Sequence, residues 1–193
     1  MQHVRTRLCS HSELPAPKNV LRTAIRVTGM AGASTPAIRT LAKAGVAHRV
    51  HAYKHDPRAD SYGGEAVDAL AAEVGVMAAQ IFKTLVIELS SGALAVAVLP
   101  VPNTLSLKAA AAALGAPKAA MADKAKAERI TGYVLGGISP LGQRKLLPTV
   151  VDASALAWDR MLCSAGRRGL EIELAPADLV RLTDAVTAPV TSV

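Results

Sequence analysis

Aromatic residues are nearly missing from this chain: Tyr53, Tyr62, Phe82, Tyr133 and Trp158 are the five among 193 residues. A module that stacks successive bases on an aromatic platform is thereby excluded, so any contact with RNA has to use other chemistry. Cysteine is equally scarce. Cys9 and Cys163 form no Cys-x-x-Cys and no Cys/His ligand spacing, which excludes zinc knuckles, redox motifs and iron–sulfur clusters and points to a reducing compartment, hence a cytoplasmic location. Long apolar runs are lacking too. The longest clean one, residues 93–99, is bounded by Gly92 and Pro100 and falls far short of the roughly 20 residues a membrane span requires. No apolar stretch of about 7 to 15 residues follows the basic start, which argues against a secretory signal.

What is present suits one globular domain. Hydrophobic residues make up 51% and charged residues 19%, and a chain of this length buries roughly 70% of its unfolded surface without disulfide or metal support. The net charge of +7 is uneven: residues 1–29 hold Arg5, Arg7, Lys18, Arg22 and Arg26 against Glu13 alone. The remainder is too nearly neutral to hold a nucleic acid by electrostatics unaided. The leader lacks hydrophobic periodicity and contains Pro15 and Pro17. Residues 1–33 are therefore expected to form a loosely ordered basic extension, with Met30 a candidate initiator and an organelle-targeting peptide the alternative, and residues 34–193 to form the domain.

From residue 34 the pattern alternates. Ser34-Thr35-Pro36 supplies a helix start and Gly45 a stop, residues 46–53 alternate as a strand, and 65–74 reads as a second helix. The β-rich runs 83–89 and 93–99, joined by Ser90-Ser91-Gly92, predict a hairpin. Helices are expected after Ser106 and near 122–129, strands at 133–135, 145–151, 158–163 and 170–174, and a closing helix over 176–186. Hairpins mixed with irregularly spaced helices predict an α+β fold.

Four features carry chemistry. Lys83 heads a strand face shared with Leu85, Ile87 and Leu89, and Ala93, Ala95 and Ala97 on the neighbouring strand leave volume beside it for a small ligand. A strand-end lysine reaching solvent fits the same pattern. The run Gly136-Gly137-Ile138-Ser139-Pro140, followed by Arg144 and Lys145, allows backbone N–H groups to converge on an anion, as it allows an ordinary tight loop. Gly166 and Gly169 bracket a hairpin that sets Ser164 opposite Glu171, with Arg167 and Arg168 at its tip. His48, His51 and His55 cluster, but strand geometry splits His48 from His51, so no metal is expected. Cys163 reads as core, not as a nucleophile.

Taken together, TPAIR at 35–39, HAYKHDP at 51–57, FKTLV at 82–86, LAVAVLPV at 94–101, ALGAPKAAMAD at 113–123, the long run at 131–152 and SAGRRGLEIEL at 164–174 resemble the YbaK/EbsC family of Cys-tRNA(Pro)/Cys-tRNA(Cys) deacylases. That family is related to the editing domain of bacterial prolyl-tRNA synthetases. The resemblance implies a single α+β domain with a mixed, mostly antiparallel, curved and barrel-like sheet flanked by helices. It implies Lys83 as the essential lysine and Gly136 to Pro140, Ile138 and Ser139 included, as the substrate loop, with Tyr53, Tyr62, Ser164, Arg168 and Glu171 lining the pocket. Position 62 in the family is often Phe and position 171 often Asp, so Tyr62 and Glu171 depart from it.

The implied activity is trans-editing hydrolysis of mischarged Cys-tRNA(Pro), and of Cys-tRNA(Cys), at the 3′ CCA end, in association with prolyl-tRNA synthetase and without cofactor, membrane or DNA. No Ser-His-Asp or Cys-His set is evident, so the substrate's own thiol is expected to attack, Lys83 to hold the terminal nucleotide and the Gly136 and Gly137 N–H groups to stabilise the oxyanion. The alternatives are an Ala-tRNA(Pro) deacylase with a positioned water, and a non-catalytic aminoacyl- or nucleotide-binding regulator.

Overall fold

The structure, a computed structural model, describes residues 34–56 and 62–192. The basic extension expected over 1–33, with Met30 and Cys9, lies outside the described residues, as does the side chain of Tyr62.

Helix α1 (Pro36–Lys43) starts where the sequence places it. Thr35 Oγ1 accepts from the Ile38 N–H at 3.2 Å, and Pro36 takes the first turn, where a missing N–H leaves nothing unpaired. Strand β1 (His48–Ala52) and helix α2 (Tyr62–Val74) follow, and then β2 (Ile81–Leu89) and β3 (Leu94–Pro100) form the expected hairpin, with Lys83 opposite Leu99. After β4 (Thr104–Leu105) come α3 (Leu107–Ala113), capped by Ser106, β5 (Ala119–Met121) and α4 (Lys124–Thr131), capped by Asp123. The rest is β6 (Thr149–Asp152), β7 (Met161–Arg167), β8 (Leu170–Leu174), α5 (Pro176–Thr183), β9 (Val186–Ala188) and β10 (Thr191–Ser192).

Several expected boundaries move: the closing helix ends at Thr183, where Asp184 takes a left-handed backbone, and Val186 opens a strand instead. Residues 133–135 turn instead of forming a strand, because the Tyr133 hydroxyl donates to the carbonyls of Leu141 at 2.8 Å and Gly142 at 3.2 Å and ties 133–142 into a closed loop. Pro148, without an N–H, delays β6 to Thr149. A 3-10 turn over Ala153–Ala157 delays β7 to Met161.

One sheet runs in the order β1-β8-β7-β2-β3-β6-β9. Pairs β1–β8, β8–β7, β2–β3 and β2–β5 are antiparallel; β7–β2, β3–β6 and β6–β9 are parallel. The sheet is thus mixed and mostly antiparallel, but it stays open: β1 and β9 are its two ends, and the barrel-like closure does not form. On one face Phe82, Val96, Val98, Cys163 and Ile172 pack with Ala37 and Leu41 of α1 and Leu179 of α5. On the other, Ala66 and Leu70 of α2 cover Ile81 and Leu162, and Ala110 of α3 covers Ala95 and Ala97.

The register leaves a break. Strand β7 accompanies β2 only at Ile81 and Phe82, and β5 pairs with β2 only from Ile87 to Leu89. Between them β2 has no strand neighbour on that side among the described residues, and β7 bulges after Ser164.

Candidate active site

A cavity of about 320 Å³ occupies this break. Its walls include Gly63 and Ala66 of α2, Ile81 to Leu85 of β2, Val101, Leu135, Gly136 and Ile138 of the closed loop, Ser164 of β7 and Glu171 of β8. Strand periodicity explains the chemistry gathered there. Phe82 pairs with Cys163, so the next residues, Lys83 and Ser164, share the α2 face; Ser164 pairs with Glu171, which extends the row. Strands spaced about 4.8 Å apart set Lys83 and Glu171 roughly 10 Å from each other, with Ser164 between.

The two charged ends of the row are not paired with each other. Lys83 Nζ donates to the carbonyls of Val101, at 3.0 Å, and Asn103. No carboxylate neutralises it among the described residues, one ammonium proton is left over, and partial burial holds its pKa below the usual lysine value. Glu171 is buried, and its Oε2 has no hydrogen-bond partner. Burial pushes its carboxyl up to about 8, because nothing compensates the charged form. The Thr84 hydroxyl, also in the wall, is the other buried side-chain oxygen without a partner among the described residues. Buried polar groups are rarely left unsatisfied, so two in one cavity mark a place for a polar ligand.

The glycine loop takes a different part from the one its sequence suggests. Gly137 spends its N–H on the carbonyl of Val134 at 2.9 Å, which removes it from the oxyanion role. It is small for packing reasons: a Cβ there would stand 3.0–3.1 Å from the backbone of Arg167 and Arg168. Gly136, at φ 81°, and Ile138 both line the cavity, and their N–H groups make no hydrogen bond among the described residues. Ser139 and Pro140 are buried behind the wall; Ser139 Oγ accepts from the Leu141 N–H at 3.3 Å. Arg168 is a strut, its Nε donating to the Leu135 carbonyl at 3.0 Å.

Ser164 faces the cavity, its Oγ accepting from the Gly166 N–H at 3.3 Å. Tyr53 packs beside α2 and outside the cavity wall, its hydroxyl pKa raised by burial and by the charges of Glu171 and Glu65. Tyr62 opens α2, next to Gly63 in the wall. The volume expected beside Ala95 and Ala97 is absent, because α3 fills it. His48, His51 and His55 separate onto Val46 O, Glu173 and Glu65 respectively. Cys163 is buried in the core, and burial pushes its thiol pKa up, so Cys163 supplies no thiolate nucleophile. Thr84 and Tyr133 carry no sequence signal for their positions; only the break in the sheet and the loop closure reveal them.

Comparison with known proteins matches residues 63–182 to the aminoacyl-tRNA editing domain. A protein of Enterococcus faecalis, named "Putative Cys-tRNA(Pro)/Cys-tRNA(Cys) deacylase EbsC", is 38% identical over 125 residues, which cover 65% of this chain and 76% of that protein. Among solved structures, a hypothetical protein superposes with a TM-score of 0.70 at 26% identity, covering 82% of this chain and all 100% of the other. A structure described as "a putative trans-editing enzyme for prolyl tRNA synthetase" superposes with a TM-score of 0.68 at 25% identity, covering 81% and 93%.

Proposed function

The chain belongs to the family of aminoacyl-tRNA editing domains, and from that premise we propose that it deacylates mischarged tRNA in trans, with cysteinyl-tRNA(Pro) the favoured substrate. The observation that carries this is the cavity's polarity: an unneutralised ammonium, Lys83, at one end and a partnerless carboxyl, Glu171, at the other. An aminoacyl ester of a terminal nucleotide has the matching ends, phosphate and α-ammonium. Lys83 takes the phosphate or ribose with its remaining proton. Glu171 takes the ammonium as a carboxylate, and Ser164 and Thr84 flank the ester between them.

The described residues around the cavity include no nucleophile activated by a base, so attack falls to the substrate. Its thiol sulfur bonds to the ester carbonyl carbon while that carbon's bond to the ribose oxygen breaks. The thiol proton ends on the released hydroxyl, and water then opens the cyclic thioester. Holding sulfur and carbonyl together is worth about 7 to 11 kcal/mol in the best cases. The Gly136 and Ile138 N–H groups are the oxyanion donors this loop offers. Association with prolyl-tRNA synthetase would supply the tRNA selection that the weakly charged domain lacks.

Parallel deacylation of cysteinyl-, seryl- and alanyl-tRNA(Pro) tests this. Cysteinyl-tRNA is expected to be cleaved at least 100-fold faster than the other two, and Lys83→Ala to lose that activity. Equal cleavage of the alanyl ester would replace the thiol with a water, and turnover by Lys83→Ala at the wild-type rate would refute the site.

A further inference from the structure

A second cavity lies elsewhere in the molecule. About 390 Å³ in volume, it lies between the β2–β3 turn, α4 and the segment before β6, and it is lined by Lys126, Arg129 and Ile130 on one side and by Lys145, Leu146 and Leu147 on the other. Positions 126, 129 and 130 share one face of α4 by helical spacing. Lys126 is paired with Glu88 at 3.0 Å. Arg129 and Lys145 are exposed and have neither an ion pair nor a side-chain hydrogen bond among the described residues, and the same holds for Lys124 and Arg144 nearby. The nearest acids on α4 are already engaged: Asp123 caps the helix, and Glu128 accepts from the Leu135 N–H at 2.8 Å.

That last bond matters for geometry. Through Glu128 and Leu135, and through the packing of Ala127 on Ile138, α4 is fixed to the loop that walls the ester cavity. The basic groove and the wall of the ester cavity are thus joined through α4, whose Lys126, Arg129 and Ile130 line the groove while Ala127 and Glu128 hold the loop that carries Leu135 and Ile138. A polynucleotide whose 3′ end enters the cavity has to leave it over a neighbouring surface, and this is one that presents free cations.

We infer that the groove lined by Arg129 and Lys145, with Arg144 and Lys124 at its rim, binds the phosphodiester backbone of the RNA whose aminoacylated end occupies the Lys83–Glu171 cavity. The inference rests on the proposed reading of that cavity. The contacts are to phosphate, so they add affinity without sequence preference and weaken with salt.

The test uses the full chain and Arg129→Gln, Lys145→Gln and the double variant. Both positions are exposed, and melting curves report the fold. Binding of deacylated tRNA is followed by fluorescence anisotropy across a salt series, and hydrolysis of cysteinyl-adenosine, which has no RNA backbone, is measured in parallel. Each substitution is expected to weaken tRNA binding about five- to eightfold at 0.1 M salt and to flatten the log–log salt slope by about 0.7 to 0.9. Cysteinyl-adenosine turnover should stay at the wild-type rate. Unchanged tRNA affinity and slope in the double variant would overturn the groove. So would unchanged tRNA binding with loss of binding to prolyl-tRNA synthetase, which would make the groove a protein-docking surface instead. Failure of wild-type protein to hydrolyse cysteinyl-tRNA(Pro) would instead strike the reading of the cavity, while its salt-dependent tRNA binding would still report on the groove.

Discussion

Glu171 is a buried acid whose Oε2 has no hydrogen-bond partner among the described residues, and this has a measurable cost. Its carboxyl titrates near 8 in the folded chain, against 4.5 for an ordinary glutamate. The folded state therefore binds more protons, and the contribution of Glu171 to stability is full below pH 4.5 and lost as pH rises through about 8. Thermal melts of the wild-type chain should fall between pH 5 and 8 and level off above, and Glu171→Gln should remove that slope while weakening substrates that carry a free α-amino group. A ligand ammonium draws out the ionised form, so calorimetry in buffers of different ionisation enthalpy should detect proton release on binding near pH 7. Cys163 makes the opposite case. It is fully buried beside Phe82 and Ile172. Cys163→Ser is expected to retain deacylation and to lose about 1 to 3 kcal/mol of stability to an unpaired hydroxyl, read from urea titrations.

Among the elements, the closed loop over residues 133–142 controls the wall of the cavity, and its support comes from outside it. The Tyr133 hydroxyl holds its far end, Arg168 its near end, and Gly137 lets the β7–β8 hairpin approach. Gly137→Ala sets a methyl group 3.0–3.1 Å from the Arg167–Arg168 backbone, and overpacking of this kind costs about 1 to 3 kcal/mol. Deacylation should fall at least tenfold, with kcat affected more than KM, because the displaced groups are the ones proposed as oxyanion donors and not as binding contacts; single-turnover rates check it. The same loop shows what the chain reveals before it folds. Caps, hairpins and alternation announce themselves locally, so the Thr35 and Ser106 helix starts, the β2–β3 turn and the Ser164–Glu171 pairing are legible. Whether a glycine N–H is free or spent depends on where Val134 lies, and whether alanines leave room depends on how close α3 comes. Those are tertiary facts. The short strands β5 and β9, at three residues each, are too brief to show alternation at all.

At the level of the whole molecule, ligand binding and folding are coupled, since the cavity draws its walls from α2, β2, β7, β8 and the loop together. A non-hydrolysable cysteinyl-adenosine amide at 100 times its dissociation constant should stabilise the chain by about 2.7 kcal/mol, raising the melting temperature. The same concentration should leave Lys83→Ala nearly unmoved. No helix among the described residues is long and apolar enough to cross a membrane. The recess for the ester exists because a strand ladder lapses for a few rungs, not because packed side chains were hollowed out. One stretch of its outline, at Leu135, Gly136 and Ile138, belongs to a loop that is neither helix nor strand, so a change there can reshape the recess while the strands that carry Lys83, Ser164 and Glu171 keep their register. Choice of cargo is thereby free to drift across descendants of this chain without any of them having to learn to fold again.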